Sequence, residues 1–316
     1  IPLAALTFSL LMAAQTAHAQ PADMVRNATN GDAAAQTALG TVYVKGEVVQ
    51  ANLVEAAKWY RRAAEQGYAQ AQYNLGVLFD DGMGVEQDPA QAALWFRRAA
   101  EQGHLGGQYN LGLMLANGFG IPVNITEAAQ WFRRAADQGF VLAQYNMGTL
   151  LNEGNGVEQN LPEAVQWFRR AAEQGDANAQ FNLGVMLAEG KGTAQNMGEA
   201  VKWYQLAADQ DDPSAQNNLG VALENGRGVK RNPKQAAEWY RKAAERGLAE
   251  AQSNLGILLS RGQGVTKNSE QAYFWLTLAA PHEASARAPR EALAAQLSPA
   301  QLKRLLEQVA AWEPKE

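Results

Sequence analysis

The sequence contains no cysteine, which excludes disulfide bonds, zinc sites built on thiolates and a lipid anchor on an N-terminal cysteine. Histidine is nearly absent, since there are three in 316 residues, and none has a second ligand at helical spacing. The sequence also lacks a P-loop, a nucleophile elbow and a dinucleotide fingerprint. We therefore expect no cofactor, no metal ion and no catalytic residue.

Positive charge is also scarce, because 27 Lys and Arg residues face 32 Asp and Glu residues, for a net charge of −5. A protein that binds nucleic acid normally carries a basic face, so we expect no nucleic-acid partner. Apart from residues 3–14 the sequence has no long apolar run, and none approaches the ~20 residues that a membrane-spanning helix needs. We expect no stable membrane insertion.

The first residues have the pattern of an export signal. The apolar stretch at residues 3–14 is followed by Ala17-His18-Ala19, a small-x-small triplet of the kind that precedes a cleavage site. We interpret residues 1–19 as a signal peptide without its charged leader, cleaved after Ala19. The mature protein is then expected to be periplasmic or secreted. The alternative is a buried N-terminal helix.

Tryptophan recurs at a fixed interval of 36 residues through most of the chain. The seven positions are Trp59, Trp95, Trp131, Trp167, Trp203, Trp239 and Trp275. A fixed period of this length indicates a stack of similar units, each of which buries its apolar side against the next.

Each period contains signals for two helices. The first, helix A, carries a block such as Ala71-Gln72-Tyr73-Asn74-Leu75-Gly76, and a glycine pair such as Gly82 and Gly84 follows it. The second, helix B, starts at an Asn or Asp followed three residues later by Glu or Gln, as in Asn124 and Glu127. This pattern predicts a capping box, in which the Glu or Gln side chain reaches back to the cap N–H.

These blocks resemble the Sel1-like repeat family of the tetratricopeptide-repeat-like superfamily. The resemblance implies an all-α, right-handed α-α superhelical solenoid of about seven 36-residue helix-turn-helix repeats with a C-terminal capping helix. On this basis residues 20–34 are a degenerate N-terminal half-repeat, residues 35–283 are the seven repeats and residues 284–316 are capping helices.

Helix B carries Arg pairs such as Arg97-Arg98, and an acid such as Glu101 stands four residues after the first Arg. Side chains at this spacing can meet on one helix face, so we expect the positive charge to be neutralised within each helix. We expect the tryptophans to fill the core between repeats.

The resemblance places the A helices on the concave side of the superhelix. The Ala and Leu residues of each helix-A block, such as Ala71 and Leu75, are expected to form a buried stripe. Aromatic residues such as Tyr73 face away from this stripe and Asn residues lie beside them, and an Asn amide can pair with the backbone of an extended peptide. The predicted protein-binding residues are Tyr73, Asn74, Tyr109, Asn110, Tyr145, Asn146, Phe181 and Asn182. The alternative is that adjacent A helices pack at these positions.

The resemblance implies a non-enzymatic, monomeric scaffold or adaptor that binds another protein or an extended peptide. Envelope signalling, envelope assembly and host interaction are the roles it suggests. Two other classes stay open: a hydrolase of the β-lactamase-like type seen in cysteine-rich relatives, and a self-assembling structural protein.

Overall fold

The computed structural model describes residues 21–47 and 49–315, so the expected signal peptide lies outside the described residues. Within these two ranges the secondary structure is entirely helical. The α-helices are α1 (Pro21–Thr29), α2 (Ala33–Lys45), α3 (Leu53–Glu65), α4 (Ala69–Asp81), α5 (Pro89–Glu101), α6 (Leu105–Asn117), α7 (Ile125–Asp137), α8 (Val141–Glu153), α9 (Leu161–Glu173), α10 (Ala177–Glu189), α11 (Met197–Asp209), α12 (Pro213–Asn225), α13 (Pro233–Glu245), α14 (Ala249–Arg261), α15 (Ser269–Ala279), α16 (Arg287–Ala294) and α17 (Pro299–Ala310).

The predicted helix-turn-helix repeat is confirmed. Repeat 1 consists of α2 as helix A and α3 as helix B, and the pairs continue to repeat 7, which consists of α14 and α15. The chain divides into two compact units between Asn160 and Leu161, within repeat 4. The first unit contains α1 to α8 and the second contains α9 to α17, and each is a stack of helices around an apolar core.

The core of each repeat depends on a glycine in helix A. In repeat 2, Ala71, Leu75 and Leu78 of α4 are buried with Phe96 of α5. A Cβ added at Gly76 would lie 2.7 Å from the Phe96 ring, so the ring can pack on α4 only because residue 76 has no side chain.

The glycine pair in the turn after helix A joins neighbouring repeats. Gly82 ends α4 in the left-handed conformation, with a φ of 69°. Gly84 also has a positive φ of 72°, and a Cβ there would lie 2.3 Å from the backbone carbonyl group of Leu53. The turn of repeat 2 therefore packs directly on the start of α3.

The prediction of a capping box on helix B is wrong in its second half. Asn124 Oδ1 accepts from the backbone N–H of Glu127 at 3.0 Å, as predicted. The backbone N–H of Asn124, however, donates to the Leu115 carbonyl of α6 at 2.8 Å. Because that donor is already used, the Glu127 side chain is available for other partners. A complete capping box occurs at Ser298 and Gln301, at the start of α17.

A ladder of glutamines joins several A helices to the B helices on both sides of them. Gln72 of α4 donates to the Ala64 carbonyl of α3 at 3.2 Å, and it accepts from Gln102 at the end of α5 at 2.7 Å. The same Gln–Gln contact links Gln66 to Gln36 and Gln210 to Gln180. These buried bonds satisfy carbonyl groups at the ends of the B helices.

One step of the ladder differs from the rest. Arg246 stands where a glutamine would meet Gln216, and it instead forms an ion pair of 2.8 Å with Asp211. Asp211 occupies the position of a closing glycine and keeps the positive φ of 68°. Gln216 Oε1 is buried without a partner among the described residues, because Arg246 has replaced its usual donor.

The last helices pack on repeat 7. Both α16 and α17 contact α15, and Trp312 lies edge-on to Trp275 with ring centroids 6.2 Å apart. The chain then runs back to α13, where the Lys315 N–H donates to the Glu245 carbonyl at 2.8 Å. The domain limits given above stay predictions.

Candidate functional site

The aromatic residues predicted to bind a partner in repeats 2 and 3 lie between helices. Tyr73 is 3% exposed and its ring stacks on His104 at 4.5 Å. A Cβ at Gly106 of α6 would lie 2.8 Å from the Tyr73 ring, so the ring packs directly on the next A helix. Tyr109 is 6% exposed and packs on Phe140 at 5.1 Å. These two rings fill the space between consecutive A helices.

The asparagines beside these rings are buried as well. Asn74, Asn110 and Asn146 are 4%, 4% and 8% exposed. Asn74 accepts from Gln70 at 2.9 Å and also hydrogen-bonds Tyr60. Within the described residues Asn110 Nδ2 has no partner.

The repeat explains why Asn110 differs from Asn74. The positions equivalent to Gln70 and Tyr60 are Gly106 and Phe96, which offer neither a side-chain amide nor a hydroxyl group. Five of the eight predicted residues thus present little surface to a partner, and this favours helix packing for them. Tyr145, Phe181 and Asn182 are partly exposed. Binding at the eight positions stays a prediction.

The second unit has a more accessible helix-A surface. We call it the second-unit A face and define it by the partly exposed residues Asn182, Val185, Asn218, Val221, Asn254 and Ile257. The aromatic residue that repeats 2 to 5 carry is replaced in repeats 6 and 7 by Asn217 and Ser253. Asn254 Nδ2 donates to Asn217 Oδ1 at 2.9 Å, so one repeat meets the next through amides rather than rings. This loss of the aromatic is the sequence signal that the choice of residues 73 to 182 overlooked.

Two buried, neutral tyrosines of the B helices contact residues of α12 beside the second-unit A face. Burial raises the pKa of Tyr204 to about 12, and Asn218 hydrogen-bonds this side chain. Burial and the nearby Glu224 carboxylate raise the pKa of Tyr240, whose hydroxyl donates to Glu224 at 2.9 Å. The residues that define the surface are amides and aliphatic side chains, which suit contacts to a peptide backbone and to apolar side chains.

His104 connects repeats 2 and 3 through neutral hydrogen bonds. Its Nδ1 accepts from the Gly107 N–H at 3.1 Å, so Nε2 carries the proton and donates to Gln70 Oε1 at 3.2 Å. Gln70 in turn donates to Asn74. Burial lowers the pKa of His104 from 6.5 to about 4, because the site offers little solvation to a charged ring.

The lowered pKa of His104 predicts that the free energy of unfolding depends on pH. As the pH falls from 6.5 towards 4, the unfolded chain binds a proton that the folded chain does not bind, so the folded state loses stability. We expect the free energy of unfolding to fall by about 1–3 kcal/mol from this group over that range. Urea titrations at a series of pH values measure the change.

The control is His104→Asn, which keeps a side chain suited to the N-cap of α6 but does not titrate. Carboxyl groups titrate in both proteins, so the difference between the two pH profiles isolates His104. Parallel profiles for wild type and His104→Asn would contradict the assignment.

The Arg pairs on helix B have structural partners, and for Arg97 and Arg169 the expected pairing within one helix is wrong. Arg97 forms an ion pair of 2.6 Å with Glu127 of the next B helix rather than with Glu101. Glu127 also accepts from Trp131 Nε1 at 3.3 Å, and these bonds lower its carboxyl pKa. The second Arg stacks on a tryptophan, as Arg98 does over Trp95 at 4.5 Å.

Four of the seven periodic tryptophans fill the core as predicted, for Trp95, Trp131, Trp167 and Trp239 are buried, whereas Trp59, Trp203 and Trp275 are partly exposed. Because its cations are engaged in these contacts, the helix-B surface is part of the repeat framework. In the part of the chain that the structure describes, no helix is long and apolar enough to cross a bilayer. The same residues contain no cluster of three or more His, Asp or Glu side chains that could hold a metal ion.

Comparison with known proteins gives consistent matches over this region. A family profile described as Sel1 repeat matches residues 33–68, 69–104, 106–140, 141–176, 177–212, 213–248 and 249–280. The crystal structure of a Sel1 repeat protein from Oxalobacter formigenes is 34% identical, with 87% of this chain and 79% of that chain covered and a TM-score of 0.66.

A second crystal structure is that of a protective antigen present in uropathogenic Escherichia coli strains, described as displaying an SLR fold. It is 28% identical, with 92% of this chain and 86% of that chain covered and a TM-score of 0.53. No curated protein matches the chain.

Proposed function

The chain belongs to the Sel1 repeat family, and from this membership we propose that it is a non-enzymatic scaffold that holds an extended segment of another protein on its second-unit A face. Proteins of this family typically serve as protein-interaction scaffolds. The observation that carries the proposal is the row of partly exposed amides at Asn182, Asn218 and Asn254, one in each of three consecutive repeats. Each amide can donate to and accept from a peptide backbone.

The aliphatic residues beside these amides support the same proposal. Val185, Val221 and Ile257 follow the asparagines by three residues in α10, α12 and α14. Residues three apart on a helix lie on the same side, so each repeat offers one amide and one apolar contact. An extended peptide uses its backbone for the first and its side chains for the second.

We expect Val221→Glu to weaken partner binding strongly, because it replaces an apolar contact in the centre of the second-unit A face with a charge. A loss of tenfold or more, about 1.4 kcal/mol, is the expected scale. Affinity capture from cell fractions, followed by mass spectrometry, identifies proteins that wild type retains and the variant loses.

Leu206→Glu is the matched control, since Leu206 is a 47% exposed apolar residue on helix B of repeat 5. Circular dichroism confirms that both variants remain folded. If Val221→Glu and Leu206→Glu retain the same proteins as wild type, the second-unit A face is not the binding surface.

We further propose that the protein acts after export, in the periplasm or outside the cell. The support is the apolar stretch and the Ala17-His18-Ala19 triplet of the sequence. Expression of the complete gene is expected to give a mature protein that begins at Gln20. N-terminal sequencing of the protein from periplasmic and medium fractions checks this, and intact residues 1–19 in those fractions would contradict it.

A further inference from the structure

The turns between helices A and B differ in charge between the two units. In the second unit, residues 226–232 contain Arg227, Lys230 and Arg231 without an acid, and residues 262–268 contain Lys267. In the first unit, the turns at residues 46–52, 82–88 and 154–160 contain acids and no Lys or Arg, and the turn at residues 118–124 contains no charged residue. The turn itself therefore does not require basic residues.

The basic residues come from the turns of repeats 6 and 7 and from the adjoining ends of α13 and α14, and the turn of repeat 7 packs on the start of α13. A Cβ added at Gly264 would lie 2.3 Å from the Pro233 carbonyl carbon and 2.5 Å from the Lys234 nitrogen. The turn of repeat 7 thus lies directly against the first residues of α13, which follow the turn of repeat 6. We call this surface the basic edge and define it by Arg227, Lys230, Arg231, Lys234, Arg261 and Lys267.

One member of the basic edge is held by the fold. Arg231 Nε donates to the Glu224 carbonyl at the end of α12 at 2.9 Å. Gln159 and Gln195 make the same bond in repeats 4 and 5, at 2.8 and 2.7 Å. A neutral glutamine therefore makes this contact equally well, so the fold does not require the positive charge of Arg231.

The basic edge is exposed and lacks neutralising contacts. All six side chains are exposed, and in the described part of the chain none of them forms an ion pair. The acids nearest in sequence are Glu224, which accepts from Tyr240, Glu238, one helical turn after Lys234, and Glu270, three residues after Lys267, which forms an ion pair with Arg304. A local charge of +6 in a chain of net charge −5 creates a positive field over a short distance.

We propose that the basic edge binds an acidic segment of the protein partner, an inference that rests on the proposed function. A short acidic segment suits the limited extent of the basic edge. A membrane surface or a nucleic acid would extend beyond it and meet a chain of net negative charge. The described residues of the basic edge also include no exposed large apolar side chain that could enter a bilayer.

The test is a titration with a fluorescein-labelled peptide of glutamates, followed by anisotropy at low salt. The variant Arg227→Asn, Lys230→Glu, Arg231→Gln gives repeat 6 the turn sequence of repeat 4, which this chain already folds. We expect the variant to raise the Kd about tenfold or more, since several exposed ion pairs are lost together. Added salt is expected to weaken wild-type binding more than variant binding.

The control is Lys202→Glu with Lys303→Glu, which changes the net charge by the same −4 at exposed positions outside the basic edge. It is expected to keep the wild-type Kd within about twofold. Equal loss in the control, or no loss in the turn variant, overturns the proposal. The proposal is also overturned if wild type binds phosphatidylglycerol vesicles or duplex DNA, the turn variant loses that binding, and neither protein binds the glutamate peptide.

This titration uses no natural partner, so it is independent of the capture experiment. If Val221→Glu leaves capture unchanged while the basic edge binds the glutamate peptide, the A-face assignment fails and the basic edge remains. If Val221→Glu loses the captured proteins while the glutamate peptide does not bind the basic edge, the A-face assignment stands and the basic-edge proposal fails.

Discussion

Replacement of Trp131 by alanine is expected to lower the free energy of unfolding by about 3–5 kcal/mol, the usual cost of truncating a buried aromatic residue. The Trp131 ring is 7% exposed and lies under the guanidinium group of Arg134, whose central carbon is 4.5 Å from the ring centroid. Its Nε1 donates to Glu127, which also binds Arg97. The substitution therefore opens a cavity in repeat 3 and removes one contact of the group that joins α5 to α7.

Urea unfolding followed by circular dichroism measures this loss. Trp131→Phe is the matched control, because it keeps an aromatic ring in the core and removes the Nε1 donor. It is expected to cost about 1–3 kcal/mol, because it loses one hydrogen bond and leaves a smaller cavity than alanine does. Equal and small losses for both variants would show that the ring is not needed to fill the core.

Gly228→Ala is expected to destabilise the second unit by about 2–5 kcal/mol. A residue with a side chain pays about 1–2 kcal/mol for the left-handed conformation that Gly228 adopts, with φ at 71°. The added Cβ would also lie 2.4 Å from the Met197 carbonyl oxygen, a backbone atom that cannot rotate away. Such overpacking adds about 1–3 kcal/mol, because the turn of repeat 6 must separate from the start of α11.

Gly175→Ala separates the two contributions. Gly175 also has a positive φ, of 95°, but a Cβ there would meet nothing within 4 Å. In the same urea experiment, Gly175→Ala is expected to lower the free energy of unfolding by about 1–2 kcal/mol, the cost of the left-handed conformation alone. A loss at Gly228 no greater than that at Gly175 would mean that the turn moves away from α11 at little cost.

The repeat could be predicted from the sequence because its signals are local. Asn124 caps its own helix, Gly82 ends its own helix and Trp131 recurs at the same place in every period, so none of these depends on how repeats are arranged. A fixed period also requires that neighbours repeat the same contacts. Fold class and helix order follow from these features.

The partners of Glu127 and Tyr73 could not be predicted in this way. Glu127 meets Arg97, thirty residues earlier, because consecutive B helices lie side by side with a particular offset. Tyr73 is buried because Gly106 allows the next A helix to approach its ring. Both depend on distances between helices, which helical periodicity does not encode. The interpretation of Tyr73 as a surface residue considered one helix only.

The Asp211–Arg246 pair also limits how the array could have grown by duplication. Most repeats carry the same glutamines and closing glycine, so a copied or deleted 36-residue segment meets a compatible neighbour at either junction. Repeats 5 and 6 are different, since recombination between them would leave the Asp211 carboxylate facing a glutamine, or the Arg246 guanidinium facing a glycine. These two repeats are expected to be inherited together as one 72-residue block, with the exchange points of the gene on either side.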